Sequence, residues 1–265
     1  MKVLAVQGSP HQGNTYDRVE HFREVLYSLG DVEFEHIALR DCNLELCRGC
    51  FLCFAQGEEH CPVHDDRALL ESRMAEADGV VFASPVYSMG VTALMKNFVD
   101  RLAYTFHRPR FSGRYAVGIA VAGGFGTKET LSYIRMFSSV WGFEWAGGLA
   151  YLDPPRNSSI PLWPAGKDLT DEVARRFHRL MSTKPPARPS MKDLFGFHAM
   201  RSVYGLMKDC SPVDHAWWKD HGWLEPGARY FTEDAVIGIK GVLPRLAAWI
   251  MGRKMEKIMP RKDPS

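Results

Sequence analysis

The chain has 265 residues, of which 46% are hydrophobic and 24% charged, an ordinary balance for a folded protein of one or two domains. Lys and Arg number 33 against 31 Asp and Glu, for a formal net charge of +2, which speaks against a nucleic-acid binder working through a strong overall field. The longest charge-free apolar stretch, Gly79 to Met95, is interrupted by Ser84, Pro85, Ser88 and Thr92, so no membrane span is expected there.

Only Val3-Leu4-Ala5-Val6 is apolar near the start, too little for a secretory signal, and the expected location is the cytoplasm. Residues 2–7 (KVLAVQ) form a short apolar run ending at Gly8, the pattern of a buried parallel strand. The polar loop Gly8-Ser9-Pro10-His11-Gln12-Gly13-Asn14-Thr15 follows. Val19, Phe22, Val25, Leu26 and Leu29 then recur at helical spacing, with Gly30 as the stop. Residues 32–38 alternate Val32, Phe34 and His36 with charged residues, predicting a strand near a sheet edge. A cysteine-bearing loop runs from about 42 to 64, after which Asp65 and Asp66 are candidate caps for a helix carrying Leu69, Leu70, Met74 and Ala77.

Residues 79–84 (GVVFAS) read as a third strand, entering the loop Pro85-Val86-Tyr87-Ser88-Met89-Gly90. Val91, Leu94, Met95, Phe98, Val99 and Leu102 mark the next helix. A fourth strand over 115–122 ends in Gly123-Gly124-Phe125-Gly126-Thr127. A helix over 129–141 and a strand over about 145–152 complete the set. Strands alternating with helices in this way predict an α/β fold, a doubly wound, flavodoxin-like five-stranded parallel sheet of order 2-1-3-4-5. Ligands of such sheets bind outside the carboxyl ends of the strands, where the loops 8–15, 85–90 and 122–127 lie.

The texture changes after residue 153. Residues 154–190 are expected to be a proline-rich linker around one helix at about 168–182, and 191–265 a helical extension rich in aromatics. The division expected is therefore 1–153, 154–190 and 191–265. Trp217, Trp218 and Trp223 are candidates to line a contact with the sheet domain or with its twin in a homo-oligomer, or to cap a ligand pocket. At the end, Leu243, Leu246, Ala247 and Ile250 form an apolar stripe, and between 240 and 262 seven basic residues face one acid, Glu256. Contact of this helix with anionic lipid is therefore a minor alternative.

In loop 8–15, backbone N–H groups and a helix N-terminus can hold an anion without a lysine. The loop is neither G-x-G-x-x-G nor a Gly-Lys-Ser/Thr P-loop. Cys47, Cys50, Cys53 and Cys61 fall within 15 residues, spaced C-x2-C-x2-C-x7-C. Without an export signal, close thiols point to metal, cluster or redox chemistry rather than disulfides. Such a set suits one [4Fe–4S] cluster; zinc and a vestigial motif without metal stay open. Cys42 and Cys210 read as plain thiols. No Ser/His/Asp set, paired carboxylates or H-E-x-x-H stands out, so hydrolase readings have little support.

GSPHQGNT after the first strand, SPVYSMGVTALMKNFVDR after the third and the cysteine loop between them resemble the NADPH-dependent FMN reductase family, and within it the iron-sulfur flavoproteins. The likeness covers roughly residues 1–150. It implies that Ser9, His11, Gly13, Asn14 and Thr15 hold the FMN phosphate. It also implies that Pro85, Val86, Tyr87, Ser88, Met89 and Gly90 lie along the ribityl chain and the isoalloxazine ring, and that Gly123, Gly124 and Gly126 border the ring. Relatives often carry Arg or Lys where this chain has His11. Tyr87 and Phe125 are candidates to flank the flavin, and Asp100–Arg101 reads as fold-supporting.

The activity implied is FMN-dependent NAD(P)H oxidoreduction, with hydride passing from a nicotinamide to FMN and on to a quinone-like or other small-molecule acceptor. The alternative is an electron carrier holding FMN and [4Fe–4S] in Cys47, Cys50, Cys53 and Cys61 and exchanging electrons with ferredoxin. In either case the cofactor carries the chemistry, and no catalytic side chain is assigned.

Overall fold

The computed structural model describes residues 1–154 and 168–258, without the side chains of Lys240 and residues 255–258. Pro155, Pro161 and Pro164 of the expected linker, and Pro260, Arg261 and Lys262 near the end, lie outside the described residues. The chain divides into two compact units: Met1–Gly49 with Pro62–Pro185, and Cys50–Cys61 with Pro186–Ser265.

The first unit is built on a five-stranded sheet of order β2-β1-β3-β4-β5, with β1 Lys2–Gln7, β2 Glu33–Ala38, β3 Gly79–Pro85, β4 Tyr115–Ala122 and β5 Glu144–Leu152. All four pairings are parallel. Strand β4 is buried along its whole length, whereas β2, at the edge, alternates. The apolar run and the alternating run in the sequence follow from those two positions. The crossovers are α1 Asn14–Leu29, α3 Arg67–Glu76, α4 Ala93–Arg101 and α5 Thr127–Val140.

One face of the sheet packs Val3, Ala5, Val81, Ala83, Val117 and Ile119 against Val19, Phe22 and Leu26 of α1. On the other, Phe82 meets Phe137, Trp141 and Phe143 edge-on at 5.1, 6.1 and 5.7 Å between ring centroids. Leu70 and Met74 of α3 are buried, but Leu69 points into solvent, so the inward stripe of α3 is narrower than its run of apolar residues.

The expected linker is corrected by the helix within it. Helix α6, Thr170–Thr183, buries Val173, Ala174, Phe177 and Met181 in the same core as α1. Gly79 makes this possible: a Cβ there would lie 2.6 Å from the Met181 sulfur. The first unit therefore closes at Pro185 rather than at 153.

The second unit contains α2 Leu52–Ala55, α7 Met191–Leu206, α8 Pro212–Asp220 and α9 Val242–Ile258. Helix α7 starts with a reciprocal capping box: Ser190 accepts from the Asp193 amide, and the Asp193 carboxylate accepts from that of Ser190. Phe197 and Tyr204 of α7, Trp218 of α8 and Trp223 form a core of their own, flanked by Trp217, Tyr230 and Phe231. The tryptophans thus build the interior of the helical unit. Trp218 is fully buried in it and has no surface left with which to cap a ligand.

Candidate functional site

A cleft of about 370 Å³ opens at the carboxyl ends of the strands, lined by Ser9, His11, Gly13, Asn14, Thr15, Pro85, Val86, Tyr87, Val121, Ala122, Gly123 and Asp153. Its volume is in the usual range for a small-molecule site. Its floor is fixed by β-strand geometry. The Gly8 amide donates to Ala83 O at 2.8 Å and the Val86 amide to Val121 O at 2.8 Å, so the first loop is tied to β3 and the second to β4.

The first loop is a turn that leaves donors open. Ser9 is buried and its hydroxyl donates to His11 O at 2.8 Å. The His11 ring lies against Gly13, 3.0 Å from where a Cβ there would sit, so a larger residue at 13 would push the imidazole away. Gly13 precedes α1 and supplies no side-chain cap; the first turn of α1, whose amides have no partner within the helix, therefore starts uncapped where Gly13, Asn14 and Thr15 line the cleft. Asn14 Nδ2 donates to Pro154 O at 2.6 Å. Such an N-terminus suits a phosphate.

One wall of the cleft is unexpected. Asp153, immediately after β5, brings a carboxylate to a cleft whose open amides favour anions. Arg18 of α1 clamps that carboxylate with both Nε (2.7 Å) and Nη2 (2.5 Å) and lies 4.4 Å over the Tyr151 ring. The hydrogen bond with Asp153 raises the Arg18 pKa despite partial burial, so the pair stays charged and locally compensated. Nothing in the local sequence marks Asp153 except its place directly after a strand end. Val121 and Ala122 are the last residues of β4, and only the strand's length decides that they reach the cleft.

Nine of the fourteen loop residues expected at the site line the cleft; Ser88, Met89, Gly90, Gly124 and Gly126 are not among its lining residues. The reason is a tight turn. Tyr87 and Gly90 exchange backbone hydrogen bonds at 2.9 and 3.0 Å, and Ser88 and Met89 both take positive φ, 49° and 68°. This resembles a hairpin turn of the primed type and turns their side chains outward. Gly126, at φ 93°, supports it from below: a Cβ there would stand 2.6 Å from Val86 Cγ1 and 3.1 Å from Met89 Cα. Tyr87 and Phe125 are both exposed.

The base of the cysteine segment is laced to α4. Asn97 Nδ2 donates to Leu44 O and Glu45 O, each at 3.1 Å, while its Oδ1 accepts from the Cys47 amide at 3.2 Å. Arg101 makes a buried, two-pronged pair with Asp65 at 3.1 and 2.8 Å. Arg101 is thus fold-supporting as expected, whereas Asp100 pairs with Lys96 on the surface. All six cysteines are thiols, with Cys47 and Cys50 exposed and Cys53 and Cys61 half-buried. Four thiolates are the right donors for an iron–sulfur cluster. Among the described residues, however, no three His, Cys, Asp or Glu side chains are gathered closely enough to hold a metal ion. Cys47 belongs to the first unit, and Cys50, Cys53 and Cys61 to the second. Residues Cys50–Cys61 wind into the helical turn Leu52–Ala55 and a 3-10 turn Glu58–His60, and Phe51, between Cys50 and Leu52, takes a left-handed conformation at φ 60°. Among the described residues no helix is long and apolar enough to cross a membrane.

The sequence profile of the family described as NADPH-dependent FMN reductase matches residues 1–145. An iron-sulfur flavoprotein of Archaeoglobus fulgidus is 30% identical over 232 residues, covering 84% of this chain and 100% of the relative. The iron-sulfur flavoprotein MJ1083 of Methanocaldococcus jannaschii is 39% identical over 144 residues, 52% of this chain and 71% of the relative. Among solved structures, RosB with the bound intermediate 8-demethyl-8-formylriboflavin-5'-phosphate superposes with a TM-score of 0.54 at 11% identity, covering 100% of this chain and 91% of that one. That likeness speaks for the fold alone.

Proposed function

The chain belongs to the NADPH-dependent FMN reductase family, and from that premise we propose that its strand-end cleft holds FMN and that it reduces a small, quinone-like acceptor at the expense of NAD(P)H. The observation that carries this reading is the uncapped start of α1 opening into a cleft of about 370 Å³ beside an exposed aromatic, Tyr87. FMN, when bound, accepts hydride from a nicotinamide and returns electrons to an acceptor. The protein's part is binding, orientation and exclusion of water. Ser9, His11, Gly13, Asn14 and Thr15 would hold the phosphate through amides, hydroxyls and the His11 ring. Pro85, Val86 and Tyr87 would lie along the ribityl chain and ring, with Gly123, Gly124 and Gly126 bordering it. The rigid Tyr87–Gly90 turn fixes that wall before any ligand arrives, so little ordering is needed on binding.

No acid or base is required at the cleft for hydride transfer, and none is assigned. The absorption spectrum of the purified protein tests the reading, together with NADH and NADPH oxidation with a soluble quinone. Flavin bands and turnover are expected; a protein that neither carries nor takes up FMN would overturn it.

A second reading is favoured by the four clustered cysteines and by the names of both relatives: an electron carrier with FMN and an iron–sulfur cluster that exchanges electrons with ferredoxin. It requires the thiols of Cys47, Cys50, Cys53 and Cys61 to close around iron. Iron and sulfide assays after anaerobic purification decide it, with four irons per chain expected for one [4Fe–4S] cluster. Rapid reduction by ferredoxin without nicotinamide turnover would favour the carrier. We propose further that the chain works in the cytoplasm as a homo-oligomer.

A further inference from the structure

We infer that the outer face of α9 is a docking surface for an anionic lipid bilayer, on which the helix lies in the plane of the interface. Helix α9 turns the wrong way round for a core helix. Among its described residues, Pro244, Ala248 and Gly252, one turn apart, are the buried ones. They face α7: Ser202 Oγ donates to Ala248 O at 3.4 Å, and a Cβ at Gly252 would lie 3.1 Å from Ser202 Cβ. The small residues are inside, and the large ones are in water. Val242, Leu243, Leu246, Trp249 and Ile250 are 45–64% exposed and share one side of the helix. So contiguous an apolar face marks an interaction site.

Charge decides what covers it. Arg245 and Lys254 are exposed on opposite borders of the face, and Arg253, 5.5 Å over the Trp249 ring, lies within it. From 236 to 258 Glu256 is the lone acid. An apolar side with a tryptophan and basic residues at its borders is the pattern of a helix that lies in a lipid interface, where the basic groups reach phosphates and the stems stay in contact with chains. A second copy of the chain would set Arg245 and Lys254 against a face bordered by the same charges. An anionic bilayer supplies the opposite sign.

The full chain is floated with vesicles of phosphatidylcholine, with and without phosphatidylglycerol, at low and high salt. Flotation is expected only with the anionic vesicles, and salt should reduce it at least tenfold. The double substitution Leu246→Glu and Ile250→Glu should return the protein to the unbound fraction, and Arg253→Glu with Lys254→Glu should weaken binding at least tenfold. All four positions are exposed, and far-UV circular dichroism with the unfolding midpoint checks that each variant stays folded. Absence of flotation with either vesicle overturns the proposal, as does equal flotation with neutral vesicles. A dimer in sedimentation that Leu246→Glu splits, without vesicle binding by the wild type, assigns the face to a second copy instead.

Discussion

Replacing Asp65 by Ala removes a concentrated set of buried polar contacts in the first unit. The carboxylate accepts from Arg101 Nε and Nη2 at 3.1 and 2.8 Å, from the Glu45 amide at 3.0 Å and from the Arg67 amide at 3.2 Å. Its side chain is 0% exposed and that of Arg101 3%, so water cannot stand in for it. Breaking a buried pair by deleting one partner costs about 3–5 kcal/mol, because the other charge is stranded. For a unit of this size, roughly 2–4 °C per kcal/mol puts the fall in midpoint at roughly 6–20 °C. Thermal unfolding followed by far-UV circular dichroism measures it. The double replacement Asp65→Leu with Arg101→Met should recover much of the loss, since no charge is then left buried.

The same pair predicts acid sensitivity. Burial would raise the Asp65 pKa, but the hydrogen bonds from Arg101 and the backbone outweigh it and hold the group below the usual carboxylate range. A carboxylate depressed on folding contributes its stability fully above about pH 4 and loses it as pH falls through the depressed value. The wild type should therefore weaken below about pH 4 more steeply than the double replacement. A loss under about 1 kcal/mol for Asp65→Ala, the level of an exposed pair, would refute the reasoning.

Three further outcomes follow from the site and from the helical unit. Arg18→Ala strands the Asp153 carboxylate at the cleft and should weaken FMN binding about tenfold, or about 1.4 kcal/mol; Arg18→Ala with Asp153→Asn should restore it, both read by flavin fluorescence titration. Gly126→Ala forces a Cβ into a φ of 93° and toward Val86 and Met89, a strain of about 1–2 kcal/mol, and should lower flavin retention on desalting while leaving the far-UV spectrum intact. Burial, then Arg201 and Arg245, lowers the His198 pKa to about 4. The stability tied to its neutral form is complete above about pH 6.5 and declines as pH falls toward the folded value. NMR titration should find the ring neutral at pH 5, and His198→Asn should flatten the unit's loss of stability between pH 6.5 and pH 5; protonation with an ordinary midpoint would refute this.

What was legible in the chain is what a period and a strand end can encode. The run KVLAVQ, the alternation through Phe34 and His36 and the fully apolar 115–122 were enough for five strands in their order, since burial on both faces and position at an edge leave different patterns. The first loop was legible for the same reason: a polar turn between strand and helix has open amides whatever its tertiary context. Asp153 and its clamp from Arg18 were not, because they join residues 135 positions apart. The outward turn of Ser88 and Met89 was also hidden, for neither residue type announces a positive φ.

Helices α6 and α9 show why periodicity alone does not say what a helix touches. Both carry apolar residues at helical spacing, and in α6 that stripe does go inward, because Gly79 in β3 leaves room for Phe177 and Met181. In α9 the stripe of Leu243, Leu246 and Ile250 goes outward, because the close approach to α7 at Ser202 admits only side chains as small as Ala248 and Gly252. A hydrophobic period fixes that a face exists, and the partner's backbone distance chooses which face is used. For α6 the better-filled contact is with its own sheet, so the helix expected within a linker finishes the core of the first unit. For α9 the large face is left over, and that apolar surface beside Arg245, Arg253 and Lys254 is what the proposed contact with an anionic bilayer rests on.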